Sequence, residues 1–250
     1  KNIQINFYIF FHIITLFILL KTNFIYAKPS ITVIAEGLFN PTGLAELPDK
    51  GLLIAEEGTS KDDFSGGISL LTSKGDLGRL ISGISSRRES GDFPSTSLIS
   101  IAPDGMSIYT GTFGLGHLWE LKIKKNNILP ALTFKPEGLN TFMLDHEEEK
   151  LINPFDIVFD KSGQPVVTDS FKNGLATTNR EGGLFFFHHF GFLQDPKNPN
   201  NKIEAVPTGI IRIKDEFFVT LFGGCPYPSG SGKLVAVDKF NNQRTVVENL

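Results

Sequence analysis

The groups best equipped for chemistry in this 250-residue chain are a few carboxylates, amides and histidines. Glu56-Glu57 with Asp62-Asp63 supplies hard oxygen ligands of the kind Ca²⁺ takes, but the spacing fits no EF-hand loop. Asp145-His146-Glu147-Glu148-Glu149 has the composition of a metal site; a charge run in a long loop is more often a solvated face. His188-His189 ends an alternating aromatic run, so the two rings point to opposite faces and do not converge on one ion. Asp169 and Asn173 bracket a turn, where such side chains cap local backbone as readily as they bind a ligand. Cys225 is the single cysteine, so no intrachain disulfide forms, and between Gly224 and Pro226 it has no neighbouring base to activate it. No Ser-His-Asp signature, phosphate loop or zinc spacing is present, so no catalytic and no metal residue is assigned.

The elements that must position these residues repeat. In Val206–Leu250, Ile210-Ile211-Arg212-Ile213 and Phe217-Phe218-Val219-Thr220-Leu221 are β-branched or aromatic runs bounded by turn residues, which predicts strands. The Gly- and Pro-rich stretch Phe222–Gly230 cannot continue a strand. Lys233–Val237 and Arg244–Val247 then complete a four-stranded unit. Looser copies start at Asn40-Pro41-Thr42-Gly43, Ser95-Thr96-Ser97 and Asn153-Pro154-Phe155-Asp156. Matching Thr42, Thr96, Phe155 and Thr208 gives a pitch of roughly 55 residues, near that of propeller blades. The expected fold is therefore all-β, a β-propeller with four blade units visible.

Lys1–Ala27 differs in kind. A basic start, an apolar run from Phe7 to Leu20 and a small residue at Ala27 describe a secretory signal peptide, or a short uncleaved anchor. Residues 28–250 are the expected propeller domain, exported to the periplasm, cell surface or medium. Of 24 basic residues, Lys1 and Lys21 fall in the leader; the remaining 22 face 27 acidic ones, a balance of −5. That opposes a nucleic-acid partner, and the short groups Lys122-Lys124-Lys125 and Arg87-Arg88 do not reverse it. Ile31–Leu38 resembles Arg244–Leu250, which predicts an outer strand leading into the first blade. Leu250 lies where another inner strand would begin, and a chain truncated at that point is expected, with a closed four-bladed ring as the alternative.

The segments Asn40-Pro41-Thr42-Gly43-Leu44-Ala45, Asn153-Pro154-Phe155-Asp156, Val167-Thr168-Asp169-Ser170, Val206-Pro207-Thr208-Gly209 and Cys225-Pro226-Tyr227-Pro228 resemble the ScyD/ScyE family of exported β-propellers, an NHL-like architecture. The resemblance covers Ile31 to Leu250 and is strongest after Asn153. It implies six blades in the full-length protein and no settled chemistry. Cys225 and Thr168-Asp169-Ser170 depart from the family pattern of an apolar residue and Ala-Asp-Ala.

The leading expectation is a ligand- or protein-binding scaffold for an unknown small molecule or protein. Its surface would lie around Asn40, Asn153, Asp156, Asp169, Asn173 and Tyr227, polar residues at the loops of a rigid scaffold. A membrane enters only through an uncleaved N-terminal segment. The alternative is a metal-dependent hydrolase of small lactones or esters, as in gluconolactonase-like propellers. Its ligand slots fall near Thr42, Phe155 and Thr208, which are poor ligands. No cofactor is therefore assigned, with Ca²⁺ or another divalent cation the class left open.

Overall fold

The computed structural model describes residues 30–87, 95–112, 116–122, 132–133, 140–141, 151–179 and 183–250. The leader Lys1–Ala27, the acidic run Asp145–Glu149, Lys124-Lys125 and Arg88 lie outside the described residues. Four antiparallel sheets follow one another along the chain. The first blade is β1 (Pro41–Glu46), β2 (Leu52–Glu56), β3 (Asp63–Leu71) and β4 (Leu77–Ser86). The second is β5 (Thr96–Ile101), β6 (Ser107–Thr112) and β7 (His117–Lys122). Between its third strand and the next blade, β8 (Leu132–Thr133) pairs in parallel with β4, and β9 (Asn140–Thr141) pairs with β7. The third is β10 (Pro154–Phe159), β11 (Pro165–Asp169), β12 (Gly174–Thr178) and β13 (Leu184–His189). A hairpin, β14 (Leu193–Asp195) and β15 (Asn198–Ile203), precedes the fourth blade. That blade is β16 (Pro207–Ile213), β17 (Glu216–Leu221), β18 (Lys233–Asp238) and β19 (Gln243–Val247). The architecture is a run of β-propeller blades, with no helix among the described residues and hence none there long and apolar enough to cross a membrane.

Each inner strand carries a bulge at the same place, where the Asn-Pro or Val-Pro motif enters the sheet. The ladder shifts between Pro41 and Gly43, Thr96 and Leu98, Pro154 and Asp156, and Pro207 and Ile210. Thr42, Ser97, Phe155 and Thr208 thus occupy equivalent bulges, and Ser97 replaces Thr96 as the second blade's counterpart. The β5–β6 turn is one residue longer than the β1–β2 and β10–β11 turns: Ala102 N–H bonds Ser107 O, whereas Leu47 N–H bonds Gly51 O and Asp160 N–H bonds Gln164 O.

Three apolar layers lie between consecutive blades. Leu53, Ala55, Ile68 and Ile84 meet Ile99 and Ile108 between the first two blades. Leu98, Tyr109 and Leu118 meet Ile157, Val167 and Ala176 between the next two. Val166 and Leu175 meet Ile210, Phe217, Val219 and Val235 between the last two, with Leu193, Ile203 and Ala205 of the hairpin region added. Close approach of inner strands accounts for Gly43: a Cβ there would stand 2.3 Å from Ser97 O.

Two expectations are corrected. Residues 30–38 contain no strand, so the β-branched run at Ile31–Ile34 has propensity without a ladder, and Ile31, Val33 and Ile34 are exposed. The β14–β15 hairpin was not anticipated, because Asn198-Pro199-Asn200-Asn201 reads as loop. Pro199 is tolerated there because the strand is one of only two and has a free edge.

Candidate functional site

The second-to-third strand loops and the starts of the inner strands form one end of the blades. All six candidate residues lie there: Asn40 and Asn153 before inner strands, Asp156 in one, Asp169 at the end of β11, and Asn173 and Tyr227 in the loops that follow β11 and β17.

Asp169 is fully buried, and both its oxygens are occupied. Oδ2 accepts the N–H groups of Ile152 (2.6 Å) and Asn153 (3.2 Å), and Oδ1 those of Phe171 (3.1 Å) and Lys172 (2.9 Å). Burial pushes its carboxyl above the usual range, and the four N–H groups pull the other way. Asp156 bridges two blades: Oδ1 accepts Ile157 N–H at 2.8 Å, and Oδ2 accepts Ile210 N–H at 2.9 Å on the neighbouring inner strand. Its carboxyl is likewise raised by burial and opposed by these bonds.

The amides are engaged in the same way. Asn40 donates through Nδ2 to Gly58 O (2.8 Å), and Asn173 accepts Val206 N–H at Oδ1 (2.7 Å). Both adopt left-handed backbone, φ 48° and 51°, which asparagine tolerates best among side-chain-bearing residues. Asn153 is buried, and its carbonyl accepts Ser170 N–H at 3.0 Å. Tyr227 differs: it is 61% exposed, its ring 5.7 Å from that of Phe222.

Sequence reasoning missed Glu56. Read as a loop ligand for Ca²⁺, it is in fact the last residue of β2 and almost wholly buried. Its Oε2 accepts Phe39 N–H (2.7 Å), Ser69 Oγ donates to Oε1 (2.5 Å), and the Arg79 guanidinium closes a bidentate pair at 2.9 and 3.3 Å. Glu56 and Asp169 are the same device, an acid paired with the motif proline and holding the N–H two residues before it. A signal existed, since both acids stand fifteen residues after their prolines, Pro41 and Pro154. The second blade has Thr112 there, and its sequence has Pro94, without an N–H, two residues before Thr96; the fourth has Leu221. Asp63 too is engaged, accepting from Ser65 and from Thr59 Oγ1 (2.5 Å). Glu57 is the carboxylate of this group whose carboxyl burial alone pushes upward.

His188 is buried and bridges the blades, with Nε2 2.9 Å from Gln243 Oε1 and Nδ1 against Asn241 Oδ1, while His189 is exposed and stacks on Phe186. Cys225 is an exposed free thiol. Among the described residues no three His, Cys, Asp or Glu side chains converge as a metal site would need. The bulge residues Thr42, Ser97, Phe155 and Thr208 do not supply the missing ligands, so the described residues do not fit a channel metal of the lactonase kind.

What this end presents outward is aromatic. Phe39, Phe64, Phe155, Phe171, Phe222 and Tyr227 are all exposed large apolar side chains at these loops and strand ends.

No protein-family model and no curated protein matches the sequence. Solved structures do resemble the fold. Virginiamycin B lyase from Staphylococcus aureus aligns with a TM-score of 0.52 at 13% identity over 89% of this chain and 61% of its own. Regucalcin from Agrobacterium tumefaciens, a calcium-binding protein, aligns at 0.52 and 15%, over 72% and 52%. A candidate gluconolactonase aligns at 0.53 and 10%, over 87% and 66%. All are β-propellers, and at these identities the likeness is one of fold. The chain spans between half and two-thirds of their lengths.

Proposed function

We propose that this chain is part of an exported β-propeller of the ScyD/ScyE kind that acts as a binding scaffold for a small molecule or protein, through the end bearing the second-to-third strand loops. The observation that supports the reading is the division of labour at that end. Asp156, Asp169, Asn40 and Asn173 hold backbone, while Phe155, Phe171, Phe222 and Tyr227 are left facing solvent. Exposed rings at one end of a rigid scaffold, two of them, Phe222 and Tyr227, in contact, suit a surface that another molecule covers. The carboxylates therefore shape the surface and the rings contact what binds.

The test compares the wild type with a Phe171→Ser/Phe222→Ser/Tyr227→Ser variant against a panel of oligosaccharides, peptides and aromatic small molecules. Phe240→Ser, in the turn between β18 and β19, is the control. Affinity lost in the triple variant and kept in the control is expected. Binding that survives the triple variant, or is lost equally in the control, overturns the reading.

A further inference from the structure

At the other end of the last two blades lies a cavity of about 400 Å³ that none of the six candidate residues lines. Its volume falls within the range of small-molecule sites. It opens between the β10–β11, β16–β17 and β18–β19 turns, represented by Asp160, Asp215 and Asp238. Phe185, Phe187 and Phe217 line it with Val166 beneath; the Phe187 and Phe217 rings are 6.2 Å apart, tilted at 55°. Phe185 is partly exposed although its neighbours are packed.

Around this aromatic floor Lys161, Arg212, Lys214 and Lys239 face Asp160, Asp215 and Asp238, which leaves one positive charge in excess. Asp160 and Asp238 are engaged by their own turns: Asp160 Oδ1 accepts the N–H groups of Ser162 and Gln164, and Asp238 Oδ1 those of Phe240 and Asn242. Asp215 is paired with Lys161 at 2.5 Å. Its carboxyl is held low first by that hydrogen bond and then by the charges of Lys161, Lys239 and Arg212. Asp238 too is held low, first by its hydrogen bonds to Asn242 and then by the charge of Lys239, so both carboxylates sit among cations. Arg212 uses Nε and one terminal nitrogen on the carbonyls of Phe159 (2.7 Å) and Lys214 (3.0 Å), which fixes its plane at the rim. Lys239 Nζ lies 4.9 Å over the Phe240 ring and acts on Asp215 and Asp238 only at longer range; among the described residues no carboxylate stands at ion-pair distance from Lys214 or Lys239.

We infer that this cavity is a second binding site, for an aromatic organic anion whose ring lies on Phe185, Phe187 and Phe217 and whose acidic group meets Lys214, Lys239 and Arg212. Charge selects the anion and the phenyl floor the flat apolar body. The site is independent of the aromatic surface at the opposite end, and either can fail alone.

The test uses fluorescence titration of the full chain with 8-anilinonaphthalene-1-sulfonate and with N-phenyl-1-naphthylamine, its counterpart without the sulfonate. Exposed charge contacts are weak individually, so Lys214→Gln/Lys239→Gln is expected to weaken the sulfonate about fivefold and the neutral probe less than about twofold. Phe185→Ala should weaken both. About 0.5 M NaCl should weaken the sulfonate selectively. Phe171→Ser/Phe222→Ser/Tyr227→Ser should leave this sulfonate binding in place. Sulfonate affinity that is unchanged in the lysine variant, falls in parallel with that of the neutral probe, or is lost only in the opposite-end variant overturns the proposal. The lysines are surface residues, and the salt arm needs no variant, so a folding defect in Phe185→Ala does not blunt the test.

Discussion

The seam between the third and fourth blades and the seam between the first and second are built from the same strands in the same register, yet their polar groups fare differently. Across the former, Asp156 reaches Ile210 N–H, Thr168 Oγ1 donates to Thr208 O (2.7 Å), Asn173 takes Val206 N–H, Arg212 bonds Phe159 O, and His188 meets Gln243. At the latter, the buried hydroxyls of Ser60, Ser85, Ser95, Ser97 and Thr112 find no hydrogen-bond partner. One seam combines an apolar layer with directional stitches. Among the described residues the other depends on its apolar layer and carries the desolvation cost of orphaned hydroxyls. The difference shows that a repeat conserves its backbone geometry more strictly than the means of holding it.

Breaking a stitch should cost most where a charge is buried. Asp169→Asn turns an amide N–H toward N–H donors, and a loss of about 3 kcal/mol is expected by urea titration. A loss below about 1 kcal/mol would mean that the four N–H groups find other acceptors. Asp156→Ala removes only the bridge to Ile210 and its own cap, at a position that is glycine in the first and fourth blades. About 1.5 kcal/mol is expected. Thr168→Val should cost about 1 kcal/mol by orphaning Asp156 N–H, whose acceptor is Thr168 Oγ1 at 3.0 Å. Thr112→Val should change the sign, being neutral or stabilising by up to about 1 kcal/mol, since it deletes a buried hydroxyl with no partner. A clear loss in Thr112→Val would erase the contrast between the seams.

The smallest effect is in pH. Burial raises the carboxyls of Asp156, Asp169 and Glu57 above their ordinary values of 3.8 and 4.5. Their folded forms bind protons more readily than the unfolded chain, so this contribution is complete below the ordinary values and is lost as pH rises through the raised ones. Asp63, Asp215, Glu216 and Asp238 are lowered, and their contribution is lost only as pH falls below the ordinary range. Thermal midpoints measured from acid to neutral pH should peak near the ordinary carboxylate values. Asp156→Asn should flatten the neutral side and leave the acid side unchanged.

A second contrast separates the outer faces of the end blades from the seams. Leu44 of the first blade occupies the place of Ile157 in the third, yet it is 68% exposed while Ile157 is 3% exposed. On the fourth blade Ile211 and Ile213 are exposed, while Ile210, just before them on the opposite face of the pleat, is buried against the third. The strand pattern is the same in each pair, and only the presence of a neighbouring blade differs.

Much of this was legible residue by residue. Alternating apolar runs between Gly, Pro, Asn and Asp placed the strands, because period and turn chemistry are local. Less visible was the bulge at Ser97, since the adjacent Thr96 has the residue type of Thr42 and Thr208 while only the ladder shows which residue is skipped. The candidate polar residues were gathered at one end by topology. Their roles were not readable: Asp169 resembles a ligand until its four N–H donors are seen, and Glu56 resembles a loop acid until Arg79 and Phe39 close on it.

By itself the sequence determined the β class, the four-stranded repeat, the loops that share one end and the acids fifteen residues after Pro41 and Pro154. These follow from side-chain period, backbone stiffness at proline and glycine, and local capping preference. Tertiary structure alone decided which carboxylates became buried clamps, which hydroxyls were orphaned, and where Phe185, Phe187 and Phe217 met Lys214 and Lys239. Those outcomes depend on stacking one blade on the next, which brings together groups some 25 to 55 positions apart in the chain, and no local preference encodes that distance.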